Sequence, residues 1–311
     1  MTATTVEAFP RRARRWPLWL SSRAFARFLT AATPSLYVVL LLIVPVVLIA
    51  LYSFGLKTNP AAGSATGFST ANWSDFLTGA GNPFRGRFFT SLIVTLAVSC
   101  IAVLGAYPLA YFLAFVARRH RYTILLIILA PFFTSYLLRV VAWEVILNND
   151  GVINSLLWTL HLRAHGHAIT WLIYSKFSVA LVLFYAWVPF VALPIFVVLD
   201  NLDRRLLDAS HDLGATRLTT FFRVTLPLSL PGVIAGFVFV LIPTTGEFIA
   251  PLLVGGPSSQ LFGNSIQAFF SDTPDWNYGS VLAITLVVVV VILLAIFGRF
   301  INTDLTEQAA T

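Results

Sequence analysis

Hydrophobic residues in this chain gather into six long runs, at about 35–56, 88–116, 122–147, 177–199, 232–254 and 279–299, separated by shorter polar stretches. Each run is close to the ~20 apolar residues that an α-helix needs to cross a hydrocarbon core about 30 Å thick. The short alternating segments that mark a membrane β-barrel are missing. The second and fourth runs carry no charge, the third holds Arg139 and Glu144, and the fifth holds Glu247. The pattern predicts an all-α integral membrane protein with six transmembrane helices. Pro108, Pro131, Pro189, Pro194, Pro243 and Pro251 fall inside these runs, and each removes a backbone donor. They predict bends that either aid packing or line a pathway.

Composition agrees with this class: 58% of residues are hydrophobic, 11% are charged, and the mean hydropathy is +0.85. Basic residues set the orientation. An even number of spans puts both termini on one side, and that side then carries 14 of the 20 Lys and Arg residues. The other side carries 5, namely Lys57, Arg85, Arg87, Arg163 and Lys176, and Arg139 lies within a span. Both ends are therefore expected in the cytoplasm, with residues 1–34 as a basic arm that can lie on anionic membrane lipid. Residues 35–301 are expected to form the membrane domain, and 302–311 a cytoplasmic tail. The first apolar run is too long for a signal-peptide core and is read as a retained span. A chain mostly in lipid is a poor candidate for nucleic-acid binding.

The chemistry the sequence lacks narrows the function further. There is no G-x-x-x-x-G-K-[ST] loop, no zinc-protease His pair and no nucleophile elbow, so no catalytic residue is assigned. The lone Cys100 is expected to be a small residue in helix packing. His161, His165 and His167 cluster in a polar loop with no acidic partner nearby, so no metal site is assigned. No internal repeat is visible, which argues against an inverted-repeat secondary transporter.

The stretch from Leu206 to Gly232, LLDASHDLGATRLTTFFRVTLPLSLPG, is polar where its surroundings are apolar. It predicts two short helices about Gly214. Asp200, Asn201 or Asp203 would cap the first and Thr216 the second, with Leu226-Pro227 ending or bending the latter. Leu218, Phe221, Phe222 and Leu226 recur at helical spacing and predict an apolar face resting on the bundle. The first helix would display Asp208, Ser210, His211 and Asp212.

This spacing resembles the cytoplasmic loop signature of permease subunits of binding-protein-dependent ABC importers: Glu-Ala-Ala, three residues, Gly, nine residues, then Ile-x-Leu-Pro. The equivalents are Asp208, Ala209 and Ser210, then Gly214, then Val224, Leu226 and Pro227. The segments 134–157 and 246–270, with Asp275-Trp276 after them, resemble the spermidine/putrescine (polyamine) branch. The resemblance implies a type I importer permease fold with residues 204–227 as a coupling loop, in a bacterial inner membrane. It further implies two copies of an ATPase subunit holding ATP and Mg, a second permease chain and an external solute-binding protein. No cofactor is expected on this chain. The implied cargo is a polyamine, with an opine, metal or anion as alternatives, and a stand-alone secondary transporter as the rival from another class.

Intramembrane charges are functional candidates. Counting ~1.5 Å per residue along straight helices puts Glu247 and Arg139 at similar depth. Two readings follow: the two residues pair with each other, or Glu247 faces a pathway and attracts a cationic amine. Glu144 would lie nearer the outer mouth. Tyr136, Trp143 and Trp187, together with Tyr185, offer aromatic faces for an ammonium, although packing is the commoner role for aromatics in membrane helices. Arg139 and Trp143, one turn apart, are placed for a cation–π contact.

Overall fold

The computed structural model describes residues 36–56, 67–162, 167–273 and 275–308, with side chains through residue 299. The predicted basic arm 1–34, together with Lys57, Arg163 and His165, lies outside the described residues. Among the described residues there is helix and no strand. Among the described residues, five helices are long and apolar enough to cross a bilayer: α1 (Leu36–Ser53), α3 (Pro83–Val116), α7 (Lys176–Asp200), α9 (Arg217–Thr245) and the Trp276–Arg299 part of α11 (Trp276–Gln308). The short α2 (Ala71–Thr78) precedes α3. The chain divides into two compact units at Leu51/Tyr52, with α1 making up nearly all of the described part of the first.

The predicted third span is not one rod. α4 (Arg121–Leu129) runs into a tight turn at Ala130–Phe133, and α5 (Tyr136–Leu147) with α6 (Val152–Thr159) leaves at 87° to it. Pro131 supplies the reason, because it cannot donate into the ladder and disfavours helical geometry at the residue before it. The stretch between the fifth and sixth apolar runs contains α10 (Phe262–Ser271). α11 continues to Gln308, beyond the end of the sixth hydrophobic run. Cys100 is exposed on α3, so it does not serve packing within this chain.

The second unit is organised around α7, which packs along α3 and α9. Small residues make this close approach possible. Ala102, Ala106 and Ala110 form a fully buried stripe on α3, facing Val191, Ala192, Ile195 and Leu199 of α7. On α9, a Cβ at Gly232 would stand 2.8 Å from the Pro194 carbonyl oxygen, so only glycine lets the two backbones approach this closely. An ion pair between Arg121 and Asp200 ties α4 to the end of α7. Asp200 is thereby occupied, which leaves the capping role to Asp203.

Candidate functional site

Two concave features lie at opposite ends of α9. The first is built from the polar insert. Asp203 caps α8 (Arg204–Asp212) by accepting from the Arg205 amide at 3.0 Å. The helix then ends in a reciprocal cap: the Gly214 amide donates to the His211 carbonyl at 2.9 Å and the Ala215 amide to the Ser210 carbonyl at 3.1 Å. Gly214 has φ +82°, in the left-handed region where a side chain is costly, and a Cβ there would meet nothing within 4 Å. Thr216 accepts from the Thr219 amide and starts α9, and the Ser210 and Thr220 hydroxyls meet at 2.9 Å, locking the two helices together.

Between them lies a cleft of about 710 Å³ lined by Ala209, Ser210, Gly214 and Val224, among others. Asp208 and Pro227 are exposed near it, and Leu226 is half-buried in the helix. Of the two outcomes expected at Leu226-Pro227, an end or a bend, the helix does not end there. A π turn at Phe221–Thr225 widens the ladder just before Pro227, so the missing proline donor falls where the regular bonding is already displaced. The expected apolar face is also different. Phe221 packs edge-on against Tyr107 and Tyr111 of α3, whereas Leu218 (72% exposed) and Phe222 (61% exposed) stand free of the bundle. With Leu213 (89% exposed) they give this end of the molecule an open apolar surface around the cleft.

The second feature lies where α9 stops. After Thr245 the chain breaks at Gly246–Phe248 and resumes as a helical turn over 249–255. Glu247, 9% exposed, caps that turn: its Oε1 accepts from the Ile249 amide at 2.8 Å and the Ala250 amide at 3.1 Å. The break is braced from α10. The Asn264 side chain donates to the Phe248 carbonyl at 2.8 Å and accepts from the Leu261 amide at 3.0 Å, and the Phe262 amide donates to Ser91 of α3.

A cavity of about 360 Å³ opens here, and it brings together Tyr136, Arg139, Trp187 and Glu247 with Phe190 and Phe248. Four of the six expected pathway residues therefore share one wall. Trp143 and Glu144 do not: Trp143 packs edge-on against Tyr185 at 5.4 Å, and Glu144 sits a turn further along α5 than the lining residues. Arg139 and Glu247 share the cavity but form no ion pair with each other. The guanidinium lies instead over Phe132 at 4.6 Å and Tyr136 at 5.7 Å, in place of the expected Trp143 contact, because the bend at Pro131 folds Phe132 back onto α5. The Tyr136 hydroxyl stands beside Glu247 without hydrogen-bond geometry. Phe132, Phe190, Phe248 and Asn264 were not singled out from the sequence. Only Asn264 left a legible trace there, as a polar residue three places after Leu261, within reach of its amide. Among the described residues no group of three metal-ligating side chains occurs.

Residues 22–305 match the family model described as binding-protein-dependent transport system inner membrane component. The chain is 36% identical over 209 residues to the spermidine/putrescine transport system permease protein PotB of Escherichia coli (strain K12), covering 67% of this chain and 74% of that one. PotB of Haemophilus influenzae is 33% identical over 219 residues, covering 70% and 76% of the two chains. Among solved structures, a chain of a bacterial ABC transporter that imports the acidic polysaccharide alginate superimposes with a TM-score of 0.70. The overlay covers 92% of this chain and 98% of that one at 15% identity, a likeness of fold.

Proposed function

This chain belongs to the binding-protein-dependent transport system inner membrane components, and from that premise we propose that it is the permease subunit of an ATP-driven importer for small polyamines. It is a multi-pass inner membrane protein. The observation that carries the mechanism is the continuity of α9. Its first turns form the cleft with α8 and Gly214, and its last residue precedes the break that holds Glu247. Twenty-nine residues at ~1.5 Å each span about 43 Å. A push on the α8–Gly214 end is therefore delivered along one rod to the cavity wall.

The motor acts from outside this chain. Two ATPase subunits hold ATP and Mg, and one of them docks on the exposed Leu213, Leu218 and Phe222 around the cleft, with both termini of this chain on the same, cytoplasmic side. An external binding protein delivers cargo at the opposite face, and a second permease chain completes the pathway. An amine entering the cavity meets the Glu247 carboxylate and the aromatic faces of Trp187, Phe190 and Phe248, the combination an alkylammonium needs. The names of the PotB relatives support the choice of cargo. The reading is tested by deleting the gene in its host and measuring uptake of radiolabelled putrescine and spermidine. Energised uptake is expected to fall and to return with the intact gene but not with Glu247→Gln. Unchanged polyamine uptake in the deletion strain would reject the cargo.

A further inference from the structure

The cavity around Glu247 carries more donors than a polyamine can use. Arg139 Nε and Nη1 and the Trp187 indole nitrogen are all buried, and none has a hydrogen-bond partner among the described residues. Buried donors left unmet are costly, and a guanidinium more so than a neutral group. All of them belong to residues that line the one cavity, which Glu247 also lines. A diamine brings only further donors. It would satisfy Glu247 and leave Arg139 facing a like charge. The unmet requirement is for an anionic acceptor on the occupant itself.

We propose that the cavity also binds ω-amino carboxylates, small zwitterions with an ammonium at one end and a carboxylate at the other, and holds them more tightly than diamines of the same length. The ammonium pairs with Glu247, whose Oε1 is fixed by the Ile249 and Ala250 amides. The carboxylate takes Arg139 as a charge-assisted acceptor, with the Trp187 N–H as a second donor. Phe132 and Tyr136 lie against the Arg139 guanidinium, 4.6 and 5.7 Å from their ring centroids, and its Nε and Nη1 have no hydrogen-bond partner among the described residues. About 360 Å³ accommodates a molecule of six or seven heavy atoms together with water. The proposal rests on the reading of this cavity as part of the cargo path.

The test uses the chain purified from host membranes with whatever subunits accompany it, in nanodiscs, and measures binding of tritiated 4-aminobutyrate and tritiated putrescine. The two probes match in length and differ at one end only. In the unaltered complex, 4-aminobutyrate is expected to bind at least tenfold more tightly. Arg139→Gln is expected to erase that preference, weakening 4-aminobutyrate at least about tenfold relative to putrescine. Arg139→Lys, which keeps the charge, is expected to retain part of it and serves as the folding control. Putrescine binding that depends on Glu247, with no competition by 4-aminobutyrate, would overturn the second ligand class and leave the polyamine reading intact. Binding of neither probe by a complex that still imports putrescine would overturn it as well, by removing the cavity from the cargo path.

Discussion

Replacing Gly214 tests the coupling segment with little risk of unfolding the protein. Its φ of +82° costs a non-glycine residue roughly 1–2 kcal/mol. Aspartate adds roughly 0.3–1 kcal/mol by placing a negative charge at the C-terminal end of α8. The total, about 1.3–3 kcal/mol, corresponds to a ~10–150-fold shift away from the capped geometry that sets α8 against α9. No neighbour stands within 4 Å of the new Cβ and the site is exposed, so this cost is local and small beside a domain stability of ~5–15 kcal/mol. A graded series follows from the same terms: Gly214→Asn, which visits this backbone most readily, loses least; Gly214→Ala carries the backbone cost and falls about 5–30-fold; Gly214→Asp, with the charge at the helix end added, falls furthest. The assay is initial-rate uptake of radiolabelled putrescine in host cells, with membrane abundance followed by immunoblot. Full uptake by Gly214→Asp at normal abundance would refute the coupling assignment. Disappearance of the aspartate variant from the membrane would refute the claim that the cost is local.

Three further outcomes follow from the packing. Glu247→Gln keeps an Oε1 acceptor for the Ile249 and Ala250 amides, so membrane abundance should hold while putrescine uptake drops about tenfold or more with the lost charge. Asn264→Ala removes both side-chain bonds bracing the break and should lower stability by ~1–3 kcal/mol, visible as an earlier thermal transition of the detergent-solubilised protein. Gly232→Leu forces a side chain against the Pro194 carbonyl and the Val198 side chain. It should destabilise the α7–α9 contact by ~1–3 kcal/mol or more, read in the same thermal assay, whereas a comparable change at exposed Leu228 should have little effect.

The membrane-crossing helices were legible because their signal is simple length of apolar sequence, and the insert because its polarity and its Gly214 stand out against that background. Straight-rod counting also placed Arg139 and Glu247 at a common depth, and they do share a cavity. What it could not supply was azimuth. The 87° bend after Leu129 turns Arg139 toward Phe132 and carries Trp143 away toward Tyr185. The π turn at Phe221–Thr225 is a second hidden element, because widened turns have no residue signature, and without it Leu226-Pro227 reads as a helix stop or bend. The helix α10 was missed for a different reason: "FGNSIQAFF" is too short and too mixed to stand out, and its capping comes from a side chain within the helix, Asn264, rather than one before it.

The central claim is that movement driven by ATP at the α8–Gly214 end reaches the Glu247 cavity through α9. The most direct measurement is putrescine accumulation in proteoliposomes holding the complex purified through this chain, with ATP supplied on the face that carries residues 204–227 and the external binding protein on the other. The account requires accumulation only when ATP and the partner ATPase are both present, abolished by Gly214→Asp while ATP binding to the partner persists. Putrescine movement by this chain alone, without ATP and indifferent to Gly214, would contradict it.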